Sequence, residues 1–263
     1  MNKKVVRIVL PISLLAIGLL LAFLFLCIWR VYFENGILYY SWRPEYNPSR
    51  PVVNPIAASR RDFHIKNGIL YAYTGSDENV IIPDDVTHIG QSAFIMNLTA
   101  RTVYIPYGVN TIGRYAFAHV SYLESINIPN SVTIIREGAF DSCKSLEAIY
   151  IPDSVVSIGY GAFFGCESLI SVRLSENLTY IDAGTFVGCS ALEHIEIPGR
   201  VTAIYLGAFA MNPSLVSIRI PESVTRIDSN VFFHTENVTI SGERGSYAEE
   251  FANQMNIPFV AED

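Results

Sequence analysis

The sequence is poor in charged residues, and in basic ones above all. Only 16% of its 263 residues are charged, with 18 Lys and Arg against 25 Asp and Glu. Four of the basic residues and none of the acidic ones lie in the first 30 positions, so residues 31–263 hold 14 basic and 25 acidic residues, a net charge of −11. An acidic surface repels a phosphate backbone. The composition therefore argues against nucleic acid as a partner.

The residue patterns of catalytic and metal sites are also missing from the sequence. Its five histidines are scattered, with no metal-ligand spacing, at positions 64, 88, 119, 194 and 234. No Ser/His/Asp set, nucleophile elbow or phosphate-binding loop occurs. We therefore expect no enzyme activity, no cofactor, and neither catalytic nor metal-binding residues.

Charge is absent altogether from one stretch near the N-terminus. The 22 residues from Ile8 to Trp29 carry none, and as a helix rising about 1.5 Å per residue they would cross a hydrocarbon core about 30 Å thick. The run is longer than a usual signal-peptide core and lacks a small-x-small cleavage site, which favours an uncleaved signal anchor over a cleaved signal peptide. Because three basic residues precede it, we expect residues 1–7 in the cytoplasm and the rest outside a single-pass plasma-membrane protein.

What the sequence does contain is a repeat of 23 residues. Leu174-Ser175 replaces, in one unit, a pair that is otherwise Ile-Pro, at Ile82-Pro83, Ile105-Pro106, Ile128-Pro129, Ile151-Pro152, Ile197-Pro198 and Ile220-Pro221. A phenylalanine recurs in the same register without insertion or deletion, at Phe94, Phe117, Phe140, Phe163, Phe186, Phe209 and Phe232. Seven units, the last one shortened, occupy residues 83–241. Such a period predicts a one-dimensional stack of like modules.

Each unit combines two extended segments with a turn. Residues 146–151, Leu-x-x-Ile-x-Ile, form a strand pattern, and Pro152 ends it because proline has no N–H to donate to a neighbouring strand. Residues 155–158 predict a second extended segment, and the small residues around Phe163 suit a tight helical or 3₁₀ turn. One unit holds too few apolar side chains to offset the cost of ordering its backbone, so we expect the units to fold only together.

The two ends of the array differ from its middle. Residues 30–61 hold four prolines and predict a juxtamembrane spacer. Residues 62–82 are typical of a hairpin that turns at Asn67-Gly68 and caps the first unit. The same Asn-Gly-Ile-Leu-Tyr sequence occurs at residues 35–39. Residues 242–263 predict a C-terminal helical cap.

The repeat pattern carries a resemblance. Leu-x-x-Ile-x-Ile-Pro-x-Ser-Val-x-x-Ile-Gly-x-x-Ala-Phe-x-x-Cys, at residues 146–166, resembles the BspA-type leucine-rich repeat, and the likeness covers about residues 62–263. It implies an α/β fold, a right-handed leucine-rich-repeat solenoid with a parallel β-sheet, here preceded by a single N-terminal transmembrane helix. It also implies a surface role such as adhesion or partner binding. Departures at Leu174-Ser175, at Thr185 and in the last unit are expected to loosen the stack locally.

Cysteine is scarce, and three of the four cysteines share one repeat position. Cys143, Cys166 and Cys189 stand 23 residues apart, which in a stack of units places them in a column with steps of about 4.8 Å. They are interpreted as buried structural thiols, because small residues take the same place in other units. A disulfide between two adjacent members is the alternative.

The outward positions of the strands are the candidate binding site. They vary between units, whereas the inward positions do not, and they include Tyr and Arg, which favour recognition. The candidate ligand-binding residues are Tyr104, Asn127, Tyr150, Arg173, His194, Glu196 and Arg219. The alternative is that these side chains only solvate the sheet.

These features together predict a membrane-tethered extracellular leucine-rich-repeat protein. It would bind a protein or a glycan at the cell surface through the sheet face. In the alternative interpretation the chain is a structural or assembly component of an envelope complex. Its array would then associate laterally with like chains and have no separate ligand.

Overall fold

The computed structural model describes residues 29–34, 37–42 and 59–262. Among these residues no helix is both long enough and apolar enough to cross a membrane. Apart from Trp29, the predicted membrane segment 8–29 lies outside the described residues. The same holds for most of the predicted spacer.

Two strands form within the region that the sequence assigns to the end of the membrane segment and the spacer. They are β1 (Trp29–Glu34) and β2 (Ile37–Trp42), and they pair antiparallel in one continuous register, Trp29 opposite Trp42 and Glu34 opposite Ile37. In the sequence, the repeated Asn35-Gly36 pair separates these two strands. The hairpin belongs to a compact unit of its own, residues 1–47.

The second compact unit, residues 48–263, contains the repeats, and it opens with a second hairpin. A 3₁₀ turn at Arg60–Asp62 leads into β3 (Phe63–Lys66), which pairs antiparallel with β4 (Ile69–Tyr73). Asn67 and Gly68 connect the two strands with φ angles of 52° and 73°. Positive φ at both central residues is the conformation that an Asn-Gly turn requires.

Every unit of the array contributes one strand to each of two faces. The front face is made by the segments that lead into Ile-Pro in most units, namely β5 (Asn79–Ile81), β7 (Thr102–Tyr104), β9 (Ser125–Ile126), β11 (Ala148–Tyr150), β13 (Ser171–Arg173), β15 (His194–Glu196), β17 (Ser217–Arg219) and β19 (Thr239–Glu243). The back face is made by two-residue strands, namely β6 (His88–Ile89), β8 (Thr111–Ile112), β10 (Ile134–Ile135), β12 (Ser157–Ile158), β14 (Tyr180–Ile181), β16 (Ala203–Ile204) and β18 (Arg226–Ile227).

All pairing between units is parallel, and residues 23 positions apart stand opposite each other, as Ala148 and Ser171 do. The last unit is an exception, because Thr239 lies opposite Ser217 after 22 residues. The predicted solenoid with parallel strands is therefore confirmed.

Neither face is one unbroken sheet. The front face divides into the groups β5-β7-β9, β11-β13 and β15-β17-β19, and the back face is interrupted between β12 and β14. The unit around β13 and β14 has Leu174-Ser175 in place of Ile-Pro and Thr185 in place of alanine. Ser175 and Thr185 are both buried, and their hydroxyls donate to the backbone oxygens of Val155 and Asp182 at 2.6 and 2.7 Å. The departures from the repeat thus coincide with gaps in both ladders.

A column of aromatic rings runs through the core from one end of the array to the other. Neighbouring ring centroids are 4.8–6.5 Å apart along Phe63, Tyr73, Phe94, Phe117, Phe140, Phe163, Phe186, Phe209, Phe232 and Phe251. The first two rings come from the β3–β4 hairpin. The last comes from helix α1 (Tyr247–Met255), which is followed by β20 (Phe259–Glu262) beside β19. Hairpin and helix therefore cover the two ends of the stack.

Each unit closes through consecutive tight turns and not through an α-helix. Around Phe163 the N–H groups of residues 162, 164 and 166 donate to carbonyls three residues earlier. Gly161 and Gly165 interrupt this run with φ angles of 58° and 65°, so a regular helix cannot propagate. The predicted tight turn is present, and left-handed residues divide it into short pieces.

The three cysteines are buried, unpaired thiols. Cys143, Cys166 and Cys189 have no exposed surface and form no disulfide in the described part of the chain. Each Sγ donates to the carbonyl of the phenylalanine 26 residues earlier at 3.2 Å. Desolvation raises the pKa of each thiol, which keeps it neutral and unreactive. The interpretation as structural thiols is confirmed.

Candidate ligand-binding face

The front strands place most of the candidate residues at or near the surface. Their middle residues, such as Ile149 and Ile195, point into the core and are 4–5% exposed. The flanking positions therefore point outward, because side chains alternate along a strand. On these positions Tyr104, Tyr150, Arg173 and Arg219 are half-buried, while His194 and Glu196 are exposed.

Two of the candidates are brought into direct contact. Tyr150 on β11 and Arg173 on β13 stand opposite each other, and the guanidinium carbon of Arg173 lies 4.9 Å from the centre of the Tyr150 ring. Arg173 also forms a two-pronged ion pair with Asp153, at 2.7 Å from Nη1 to Oδ1 and 3.1 Å from Nη2 to Oδ2. A third bond joins Nη1 to the carbonyl of Ile151 at 3.2 Å. The guanidinium plane is thus held against the ring from several sides.

The ion pair also determines the charge state of this cluster. The hydrogen bond from Arg173 lowers the pKa of Asp153, and the backbone N–H of Glu176 lowers it further, while partial burial opposes both. The same bond to Asp153 raises the pKa of the Arg173 guanidinium. Both groups are therefore charged at neutral pH, and the cluster of Tyr150, Arg173 and Asp153 presents one preformed arrangement to solvent.

The expectation that Asn127 is exposed on this face is wrong. Its side chain is only 1% exposed, because both ends of the amide bind the neighbouring unit. Oδ1 accepts the N–H of Ile105 at 2.7 Å, and Nδ2 donates to the carbonyl of Ile105 at 2.8 Å. In other units this N–H is bound by a backbone carbonyl, as Ile151 N is by Arg173 O. Asn127 therefore replaces part of the ladder and separates Tyr104 from the Tyr150 cluster.

The candidates in the C-terminal half form a second, charged group. Arg219 donates from Nε to Glu262 on β20 at 2.7 Å and from Nη1 to Glu196 at 3.2 Å. Ser241 donates to the other oxygen of Glu262 at 2.9 Å. His194 lies beside this group, with Nδ1 2.7 Å from the hydroxyl of Ser217. These contacts attach the last strand to the array and leave Glu196 and His194 open to solvent.

The sequence patterns did not predict one surface depression of the array. It has a volume of about 180 Å³ and is lined by Ser76, Glu78, Leu98, Thr99, Arg101 and Tyr122. Arg101 lies 5.9 Å above the Tyr122 ring and binds Glu124 at 2.5 Å. These residues lie just before the front strands, so they are not part of the outward row. The signal that could have revealed them is the alternation Glu78, Arg101, Glu124 at one repeat position.

The described residues offer no arrangement for metal chemistry. Nowhere in residues 59–262 do three His, Cys, Asp or Glu side chains converge in a way that would hold an ion. What the front face presents instead is a row of aromatic, charged and hydroxyl groups fixed on short strands. Such a row can bind a partner by stacking, ion pairing and hydrogen bonding.

Comparison with known families and structures agrees with this architecture. A family model described as "BspA type Leucine rich repeat region" matches in six copies over residues 64–149 and 110–239, which together exceed half of the chain. It describes a repeat and no catalytic activity. None of the curated proteins compared with the chain matches it.

Three solved structures from bacteria show the same fold. The leucine rich repeat protein of T. pallidum is 23% identical with a TM-score of 0.65, and the match covers 78% of this chain and 98% of that one. A leucine-rich repeat protein from Bacteroides ovatus is 23% identical with a TM-score of 0.56, covering 88% and 65%. The pneumococcal vaccine antigen PcpA is 18% identical with a TM-score of 0.50, covering 76% and 46%. At these identities the likeness concerns the fold alone, while the six repeat matches show that the chain belongs to the BspA-type leucine-rich repeat family.

Proposed function

We propose that the chain is a membrane-tethered extracellular binding protein that recognises a protein or a glycan of the cell surface, as an adhesion or recognition module. The observation that carries this proposal is the Tyr150–Arg173–Asp153 cluster. It combines an aromatic ring, a cation and an anion, and its ion pair and backbone bond hold the guanidinium in place before a ligand arrives. Preorganised side chains lose little entropy on binding.

The array suits this role because its scaffold is rigid while its front row varies. The inward positions of the front strands are isoleucine or valine from unit to unit, whereas the outward positions change in size, charge and hydrogen-bonding capacity. Core packing requires the first set and does not require the second. A membrane tether would hold this face at the cell surface, and the uncharged run of residues 8–29 supports such a tether.

The binding role is tested with the full-length chain on intact cells. A photo-crosslinking amino acid replaces Tyr104, which is half-buried on the front face, and the attached molecules are identified. In parallel, the chain is applied to a glycan array. The double variant Tyr150→Ala, Arg173→Ala should lose the bound molecule and keep a cooperative thermal melt. Retained binding would exclude this cluster.

A matched control is available on the same array. Arg101 and Tyr122 form a similar cation–ring pair, 5.9 Å apart, outside the outward row. The variant Arg101→Ala, Tyr122→Ala should bind as the wild type does. Loss of binding in this control alone would move the site to the depression between Glu78 and Tyr122. Crosslinking only between copies of the chain would favour the alternative, a structural or assembly component that pairs laterally.

The membrane tether has its own test. Protease added to intact cells or protoplasts should remove residues 59–262 if residues 8–29 anchor the chain with its N-terminus in the cytoplasm. Permeabilised cells provide the comparison. Complete protection in intact cells, with digestion after permeabilisation, would place the array on the opposite side.

A further inference from the structure

Three lines of backbone hydrogen bonds join consecutive units of the array. One follows the front strands, one follows the back strands, and the third follows the turn edge, where each unit closes around its phenylalanine. The turn-edge line has the same three donors in each of the five units that contain Phe94 to Phe186, and Phe163 N, for example, donates to Thr185 O at 2.9 Å. Where all three lines are present, two neighbouring units are held on three sides and cannot tilt against each other.

The back line is interrupted at one interface, between β12 and β14. At the preceding interface Gly159 N donates to Ile135 O at 2.9 Å. The bond that would correspond to it, from Asp182 N to Ile158 O, is absent from the described part of the chain. The front strands β11 and β13 of the same two units remain paired. These two units are therefore joined along the front and the turn edge, but not along the back.

The front line is interrupted on both sides of the β11–β13 pair. Within the pair Ile151 N donates to Arg173 O at 2.9 Å, but in the described residues no equivalent bond runs from Leu174 N to Glu196 O. Among residues 59–262, no backbone hydrogen bond connects β13 to β15 or β9 to β11. The back strands at both of these interfaces remain paired. Three consecutive interfaces thus lack one line each, in the order front, back, front.

Burial of the inward residues reflects the front interruption between β13 and β15. Val172 is the middle, inward residue of β13 and is only partly buried, whereas the corresponding residues of β11 and β15, Ile149 and Ile195, are 4% and 5% exposed. The aromatic column does not share this change, because its ring centroids from Phe140 to Phe209 stay 5.2–5.6 Å apart. The front of the stack is therefore looser here than its core.

An interface that keeps the turn edge and one face can open on the remaining side, as a hinge does. We propose that the array bends at its two middle units, those of β11–β12 and β13–β14. The front opens between β9 and β11 and between β13 and β15, and the back opens between β12 and β14, while the turn edge serves as the pivot. All other interfaces from β5 to β18 have both faces paired, so the segments on either side of the middle units move as rigid bodies.

This bending divides the outward row of the front face into three groups. Tyr104 lies on the first rigid segment, the contacting Tyr150 and Arg173 lie on the β11–β13 pair, and Glu196 and Arg219 lie on the second rigid segment. The contact between Tyr150 and Arg173 spans a complete ladder and is kept during bending. The distance from this contact to the other two groups changes instead. The bending follows from the hydrogen bonds of the array and does not depend on the function proposed for the front face.

Distances between two nitroxide labels, measured by pulsed electron paramagnetic resonance, test the bending in the full-length chain in lipid nanodiscs. An azide-bearing amino acid that carries the label replaces Asp84 and Glu222, two exposed residues at the same repeat position. Six units at about 4.8 Å each separate the two positions by about 29 Å. The distribution of distances should be broad, because the bending units lie between the two labels.

A crosslink across the front interruption should remove part of this breadth. In the variant Ser171→Cys, His194→Cys two thiols stand at the same repeat position on β13 and β15, and dibromobimane bridges them. The crosslinked chain should show a narrower distribution at a shorter mean distance than the same chain before the reaction. The native thiols Cys143, Cys166 and Cys189 are buried and do not compete for the reagent.

The matched control places the crosslink on a complete ladder. In the variant Ala148→Cys, Ser171→Cys the two thiols lie opposite each other on β11 and β13, and crosslinking should leave the distribution unchanged. The proposal would be overturned by a distribution that is as narrow before crosslinking across β13 and β15 as after it, or by an equal narrowing in the control.

Amide hydrogen exchange of the unsubstituted chain is the second measurement. The amides of Leu174 and Asp182 should exchange at least tenfold faster than those of Ile151 and Gly159, which occupy the same repeat positions one unit earlier. Equal protection of the two pairs would show that the ladders are closed in solution and would overturn the proposal.

Discussion

The aromatic column and the outward row of the front face follow the same 23-residue period but obey different constraints. In the column, rings such as Phe140, Phe163 and Phe186 are fully buried and stack on both neighbours, with ring centroids 5.2–5.6 Å apart. In the outward row the contacts differ from unit to unit. One unit has a stacked Arg–Tyr pair, and another has a buried amide. The strictly repeated positions are therefore those that the stack requires for folding. The variable positions are those at which a unit can acquire another property.

The largest expected effect comes from breaking the column. Phe163→Ala removes a fully buried ring that contacts Phe140 and Phe186, so it should lower the free energy of unfolding by about 3–5 kcal/mol. Because units depend on their neighbours, the loss should affect the cooperative transition of the whole array. Chemical denaturation followed by circular dichroism measures it.

The adjacent residue is the control for this prediction. Phe164 has the same side chain but is 45% exposed on the turn edge, so Phe164→Ala should cost much less than Phe163→Ala. Equal losses in the two variants would mean that the column has no special role in stability.

A smaller but still substantial effect is expected at Asn127, the one member of the outward row that is buried. Asn127→Ala leaves the N–H and the carbonyl of Ile105 without their partners, and each buried unsatisfied group costs about 1–3 kcal/mol. Urea denaturation should therefore show a loss, whereas Glu196→Ala, at an exposed position of the same row, should show almost none. An unchanged stability of Asn127→Ala would indicate that the strand relaxes into the regular ladder.

A further loss of stability is expected where a buried side chain donates a hydrogen bond to the backbone of the aromatic column. Asn212, at the repeat position of the cysteines, donates from Nδ2 to the carbonyl of Phe186 at 2.9 Å. Asn212→Ala removes the donor and should cost about 1–3 kcal/mol. Asn212→Cys should cost less, because cysteine makes the corresponding bond in three other units. If both variants melt alike, the bond to the phenylalanine carbonyl contributes little.

The period made the column predictable, since a phenylalanine recurs once in every 23-residue unit and a stack of units places these rings one above another. The parallel strands, the Asn67-Gly68 turn and the burial of Cys143 followed from the same reasoning. The burial of Asn127 could not be predicted in this way. It depends on hydrogen bonds between its side-chain amide and the backbone of the neighbouring unit, which the alternation of side chains along a strand does not reveal. The contact of Arg173 with Asp153 likewise joins residues 20 positions apart, which is not a repeat distance.

The smallest expected effect is on the ion pair of the outward row, and it depends on pH. Arg173 lowers the pKa of Asp153 in the folded chain, so the stabilisation is fully present above the pKa of about 3.9 of an unfolded aspartate and is lost as the pH falls through the lower folded value. Both side chains are partly exposed, at 33% and 47%, which limits the effect to less than about 1 kcal/mol. Asp153→Asn should therefore be slightly less stable than the wild type in urea at pH 7 and equally stable at pH 2. A difference that persists at pH 2 would trace the effect to hydrogen bonding of the carboxyl and not to its charge.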